Sequence, residues 1–414
     1  MEEYRVANRE LAPMGFKKID WAWHAMPVLR FLEEREKERL PLQGVTVACC
    51  LHLEAKTACL LQVLHRLGAT VAAAGSNPLS TQDDVCAALA SSGVHVFSHH
   101  GMSSAEYGEN LRRCLAWNPQ VLIDDGGDLV ALIHEERRDL IPRLRGGCEE
   151  TTTGIKRLKA MEAEGALQFP MLAVNDGLSK HLFDNRYGTG QSVWDAILRT
   201  TNLLVAGRVV VVVGYGWCGK GVAKRASGLG ARVAVVEIDP HRALEAFMDG
   251  FEVLDLRQAA AVGDVFVTVT GNTQVLREEH FRLMKDGALL ANAGHFDVEV
   301  CIPHLKALSV EVWDSRPQIR SYRMEDGRTL HLLGEGRLVN LAAGDGHPVE
   351  IMDLSFALQL LSALHVHQND LTPGVHKVPE ELDRRVARAK LDAMGLRLET
   401  LTPEQETYLA SWRE

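Results

Sequence analysis

The sequence predicts an α/β protein built from two doubly wound parallel sheets, with a small helical tail at the C-terminus. Three observations carry this. Short apolar runs alternate with helical patterns twice along the chain, the second alternation restarts at a glycine-rich turn, and 414 residues exceed one typical domain. In the first alternation "VTVACCL" (45–51), "TVAAA" (70–74), "VHVFS" (94–98) and "QVLID" (120–124) read as strands. Between them 56–68, 82–92 and 105–116 read as helices. That order implies a parallel sheet covered on both faces. The second set of strands is "VVVVV" (209–213), "RVAVVEID" (232–239), "VFVTVT" (265–270) and "ALLANAG" (288–294). Residues 376–414 form a charged tail, helical from 380, with too little apolar surface to fold alone; it is expected to pack on a neighbour or on another subunit.

Composition narrows the class. The hydrophobic share of 46% and charged share of 24% are those of an ordinary globular protein. A net charge of 45 − 55 = −10 argues against a nucleic-acid partner. No apolar run approaches the roughly 18 residues of a membrane span, and the acidic start "MEEYRVANRE" has no signal-peptide region. The eight cysteines show no C-x-x-C spacing and are expected to be reduced thiols of a cytoplasmic protein, with no metal.

Gly214, Gly216 and Gly219 form G-x-G-x-x-G directly after five valines and at a helix start. Such glycines allow a tight turn and let a pyrophosphate approach the helix N-terminus. Glu237, 23 residues after Gly214, closes the next strand, where a carboxylate accepts from an adenosine ribose and repels a 2′-phosphate. NAD is therefore expected over NADP. Trp217 and Cys218 fill the free positions of the motif and read as packing around the turn.

Five further stretches are dense in functional side chains: "IDDGGDL" (123–129), "CEETTTG" (148–154), "VNDGLSKHLFDNRYG" (174–188), "NAGHFD" (292–297) and "LVNLAAGDGHP" (339–348). In this order, around the glycine fingerprint, they resemble the S-adenosylhomocysteine hydrolase family over nearly the whole chain. The resemblance implies that bound NAD oxidises a ribose 3′-hydroxyl to a ketone, acidifying the C4′ proton. Loss of that proton expels homocysteine from C5′, water adds to the enone, and the ketone is reduced back. It places Lys180 and Asp184 by the 3′-hydroxyl, with the lysine lowered in pKa to serve as a base. Asn175 and Asn185 would orient that pair and the nicotinamide. Asp125, His52 and His295 would serve C4′ and C5′, and Glu150 the ribose hydroxyls. Thr151, Thr152, Thr153, Asn272 and Asn340 would contact the cofactor, His347 and Met352 the substrate. Asp124 and Asp128 read as turn or cap residues, and Thr151–Thr153 also as a helix-capping run. Residues 1–180 with 350–375 would bind substrate and 186–345 would bind NAD, in a homotetramer whose domains close over the site.

Two features depart from the family's pattern. Most members carry a C-terminal extension whose lysine and tyrosine reach a neighbour's NAD; this sequence ends at "TYLASWRE", implying weaker NAD binding. The family's usual His-Met-Thr-x-Glu/Gln-Thr is here His52-Leu53-Glu54-Ala55-Lys56-Thr57. An ionised Glu54 only accepts and Lys56 only donates, which suits the N1–H and O6 of hypoxanthine better than the edge of adenine. The alternatives are solvated charges, mutual neutralisation (which an i,i+2 pair along a helix does not favour), or adenine held by a neutral lysine or a bridging water. The activity expected is thus hydrolysis of S-adenosyl- or S-inosyl-homocysteine; a silent NAD-sensing relative and an ordinary NAD dehydrogenase are the rivals.

Overall fold

The computed structural model describes residues 3–412. Its strands are β1 (Thr46–Leu51), β2 (Thr70–Gly75), β3 (His95–Phe97), β4 (Val121–Asp124), β5 (Gly146–Glu149), β6 (Pro170–Ala173), β7 (Val209–Val213), β8 (Arg232–Val236), β9 (Glu252–Val253), β10 (Val265–Thr268), β11 (Leu289–Asn292), β12 (Ser309–Arg316), β13 (Ile319–Met324), β14 (Thr329–Leu333) and β15 (Gly374–Lys377). They form two sheets, ordered β15-β6-β5-β4-β1-β2-β3 and β12-β13-β14-β11-β10-β7-β8-β9. The first is parallel throughout. The second is parallel except at one edge, where β13 runs antiparallel to both β12 and β14. That hairpin edge departs from the expected parallel sheet: a turn at Pro317 and Gln318 reverses the chain without a crossover helix.

Alternation along each strand splits its residues between two cores. Val47, Cys49 and Leu51 of β1 enter one cluster and Ala48 and Cys50 the other. Val210 and Val212 of β7 likewise face away from Val211 and Val213. Chain order reverses between β1 and β4 and between β7 and β10, so each sheet opens a crevice beyond the carboxyl ends of those strands.

One expectation is corrected. The helix Val349–Gln368 is long and apolar enough to cross a membrane, yet 72% of its most apolar stretch is buried within the protein. It is a core helix, and its Asp353 accepts from the Val28 and Leu29 amides (3.1 and 2.9 Å) and pairs with Lys390 (2.9 Å). The tail, in turn, packs partly on its own chain. Val386 and Ala389 of the helix Glu380–Ala393 enter the first core, and Asp383 accepts from the Leu178 and Ser179 amides. Beyond it the helix Pro403–Ala410 buries no residue. Among the described residues every cysteine is unpaired, and all but Cys218 are buried.

Candidate active site

The loops leaving β1, β4 and β5 carry His52, Asp125 and Glu150, and Asn175 follows β6. His52 Nε2 lies 3.2 Å from Asp125 Oδ2, and its Nδ1 lies 2.7 Å from Ser80 Oγ. Burial pushes the His52 imidazole down to about 4, against the pull of Asp125, so the ring is neutral at neutral pH. His295 reaches in from the loop after β11 of the other sheet, with Nδ1 3.7 Å from Asp125 Oδ1. Gly126 permits that approach: its φ is +114°, and a Cβ there would meet His295 Nε2 at 2.7 Å. The ligand atoms of His52, Asp125 and His295 lie within 4.8 Å of one another, a spacing that a metal ion also tolerates.

Lys180 ends a short helical turn, and a π-turn over His181–Gly188 follows, the kind of local widening often found at functional sites. The Lys180 ammonium lies 3.4 Å from both Glu150 and Asp184 and donates to Asn185 Oδ1 at 2.9 Å; Asn185 in turn donates to Asn175 Oδ1 at 3.0 Å. All four residues around it are buried. Here the structure reverses an expectation. Burial works to lower Lys180, but the carboxylates of Asp184 and Glu150 outweigh it and hold the ammonium above its ordinary value. Burial likewise works to raise Asp184, and Lys180 and His347 hold it well below the carboxylate range. Glu150 is lifted by burial to about 7, with Lys180 opposing and Asp184 reinforcing the rise. The group that titrates near neutrality in this cluster is Glu150.

Beneath these groups lie two more buried acids. Asp124 accepts from the Asp125 and Val130 amides (both 3.1 Å), the capping role expected of it, whereas Asp128 binds Tyr107 and Arg157. Glu149 accepts from the Gly126 and Thr151 amides (2.9 and 3.0 Å), tying together the loops that carry Asp125 and Glu150. Thr151 is the N-cap of the helix Thr152–Ala163 but makes no side-chain capping bond, so the threonine run is not a capping device. Thr152 Oγ1 accepts from Asn175 instead.

Glu54 and Lys56 are buried, at 4% and 6% exposure, which rules out solvated charges. They also pair directly, Lys56 Nζ to Glu54 Oε2 at 2.7 Å, contrary to the helix-spacing argument. Glu54 is not in the helix: it is the N-cap of Ala55–Arg66, with extended backbone, so its carboxylate turns back over the first turn. Glu54 Oε1 accepts from Thr57 N and Oγ1, and Oε2 from Lys56 N and Nζ. Its four acceptor positions are filled. Lys56 also donates to the Asp345 carbonyl at 2.7 Å.

The cofactor side is built mainly of backbone. Gly214 has φ +104°, and a Cβ on Gly219 would lie 1.9 Å from Gly214 O, so the turn requires glycine at both. Gly216 is the N-cap of Trp217–Gly228, and no side chain makes a capping hydrogen bond there, which leaves a cradle suited to a pyrophosphate. Glu237 accepts from the amides of Tyr215 (2.6 Å), Ile238 (2.7 Å) and Asp239 (3.0 Å). Asn340 donates to Ser192 at 3.0 Å, while its buried Oδ1 has no partner, as expected of a group awaiting a ligand donor. These residues fit NAD. Thr153 lies near the Gly271 turn, with Asn272 beside it on the exposed side. Met352 is partly buried and packs on the first core.

Several site residues escaped the sequence reading. Ser355 donates to Asp184 (2.6 Å) and Gln359 to Glu150 (2.5 Å), both from the helix Val349–Gln368. Their i,i+4 spacing and polarity on an otherwise apolar helix were the available signal. Thr189 lies 3.2 Å from His347 Nε2, whose Nδ1 meets Asp184 at 2.5 Å.

Residues 185–346 match the family described as S-adenosyl-L-homocysteine hydrolase, NAD binding domain, and residues 3–141 match S-adenosyl-L-homocysteine hydrolase. The chain is 58% identical to an adenosylhomocysteinase of Thermococcus kodakarensis, over 99% of this chain and 98% of that one. It is 56% identical to an adenosylhomocysteinase of Pyrococcus abyssi, with the same coverage. It is 54% identical to an S-inosyl-L-homocysteine hydrolase of Methanopyrus kandleri, over 100% of this chain and 98% of that one. Two family matches and end-to-end identity above one half establish that the chain is a member of the S-adenosyl-L-homocysteine hydrolase family, with NAD as its cofactor.

Proposed function

We propose that the enzyme reversibly hydrolyses S-ribonucleosyl-L-homocysteine thioethers to a nucleoside and L-homocysteine. The observation that carries this is the buried Lys180–Asp184–Glu150 cluster, set beside the Asp125 group that His52 and His295 complete from both sheets. When bound, NAD supplies a hydride acceptor for the ribose C3′ and returns the hydride at the end, leaving no net redox change. Gly214, Gly216, Gly219 and Glu237 would hold its adenosine diphosphate half, and Thr151–Thr153, Asn185, Asn272 and Asn340 its nicotinamide half.

In this reading Lys180 holds the 3′-oxygen with its ammonium, and Glu150, lifted by burial to about 7, takes the 3′-hydroxyl proton in its ionised form. Asp184 keeps Lys180 charged, and Asn185 orients it. Asp125 removes the C4′ proton, and neutral His52 with His295 moves protons to the departing sulfur and from the entering water at C5′. Residues 1–180 with 350–375 would be the substrate-binding part and 186–345 the NAD part, closing to exclude water while the enone persists. The exposed end of the tail suits assembly into a tetramer, and the acidic, thiol-bearing chain suits the cytoplasm.

For the base, we favour hypoxanthine. Lys56 is a donor only, and beyond Glu54 and Asp345 it retains one N–H, which O6 accepts and the 6-amino group of adenine repels. A second reading, adenine met through its N1 acceptor, is favoured by the filled carboxylate of Glu54, which leaves no acceptor for the N1–H of hypoxanthine. Homocysteine release from the S-inosyl and S-adenosyl compounds separates them. A tenfold or greater advantage in kcat/KM for the S-inosyl compound, roughly one unmatched buried hydrogen bond, supports hypoxanthine; the reverse preference rejects it.

A further inference from the structure

Lys56 joins the two halves of the molecule. Its side chain extends from the first turn after β1, and its partner Asp345 lies 289 residues away, on the segment leading back from the second sheet. Two residues further on, His347 meets Asp184 at 2.5 Å and Thr189 at 3.2 Å. Gly346, with φ +73°, makes the bend between them, and its amide is fixed on the Asn340 carbonyl at 2.9 Å. One short segment is therefore pinned at Asp345 by Lys56 and at His347 by the proton-handling cluster. Glu54 is fully engaged in capping its helix and in holding the ammonium, so Lys56 alone is free to meet a ligand.

We propose that Lys56 is a closure-linked specificity residue: the same ammonium that reads the purine clasps the Asp345 carbonyl, so base identity is expressed in domain closure and hydride transfer rather than in nucleoside affinity. An acceptor on the third N–H leaves the ammonium seated against Asp345. A donor at that place pushes the ammonium aside and loosens the segment that holds His347 on Asp184. The inference rests on the base reading for what the third N–H meets; the clasp itself does not.

The test uses NAD-loaded enzyme, wild type and Lys56→Met, with Lys56→Gln as a variant that can still donate to Asp345. Closure is read by small-angle scattering with 3′-deoxyinosine and 3′-deoxyadenosine, which have no 3′-hydroxyl to oxidise, and their affinities by calorimetry. Hydride transfer is read from 340 nm absorbance after rapid mixing with inosine or adenosine. In Lys56→Met we expect the transfer rate to fall at least about tenfold and compaction to be lost, with affinity changed by less than about threefold, and partial recovery in Lys56→Gln. An unchanged transfer rate, or a loss carried wholly by affinity, overturns the proposal. A wild type that prefers adenosine, paired with an open Lys56→Met, rejects the base reading and keeps the clasp.

Discussion

Beyond β1 and β4 the first sheet gathers His52, Asp125, Glu150, Lys180 and Asp184, nearly all buried and several far from their ordinary pKa. Beyond β7 and β10 the second sheet, with the same reversal of strand order, offers glycines, a helix N-terminus with no side-chain cap, and the acids Glu237 and Glu299, both spent on backbone amides. The two crevices are topological twins put to different uses. A pyrophosphate carries a fixed charge, and backbone N–H groups that do not titrate are enough to hold it. Moving protons needs groups whose charge can change, and burial among neighbours brings such groups to working pKa values. Cofactor binding should therefore vary little with pH, and catalysis strongly.

The largest way to break the contrast is Asp184→Asn. It removes the charge that does most to keep Lys180 protonated and frees His347, and kcat should fall about 1,000-fold while bound NAD is retained; turnover and the NAD content of the desalted protein measure both. Gly219→Ala strikes the other side. The added Cβ has no room against Gly214 O, and NAD affinity should drop about 100-fold in equilibrium binding. Glu150→Gln should lower kcat about 30-fold and abolish the rise in rate between pH 6 and 8 that ionisation near 7 produces in the wild type. A rise that persists in the variant would assign that limb to another group. Gln359→Leu removes a hydrogen bond that lowers Glu150, so the limb should move to higher pH by roughly one unit, with NAD affinity unchanged at every pH.

The unequal legibility of the two crevices in the sequence has the same physical root. Backbone sites need glycine at set spacings, and Gly214, Gly216, Gly219 and Glu237 stand in one continuous stretch. The β-branched run that forms β7 and the alternations flanking it were equally plain. The side-chain site is assembled from distant segments. His295 reaches Asp125 across 170 residues, and Ser355 and Gln359 support Asp184 and Glu150 from a helix whose composition reads as apolar. The sign of the Lys180 shift was hidden for a related reason. Burial alone predicts a lowered lysine, and only the distances show two carboxylates at 3.4 Å overriding it. The Glu54–Lys56 pair was obscured by the helix boundary: a cap residue does not obey helix spacing. The return of β15 to the first sheet and the β12–β13 hairpin are tertiary choices that no local period encodes.

A redox cofactor here serves a reaction with no net redox change. The direct test follows thiol release and 340 nm absorbance together as the NAD-loaded enzyme turns over the S-inosyl or S-adenosyl thioether. Many equivalents of homocysteine, with the absorbance never exceeding that of one reduced cofactor per chain, is the predicted result. Reduced cofactor accumulating in step with product, when free NAD is supplied, would contradict it.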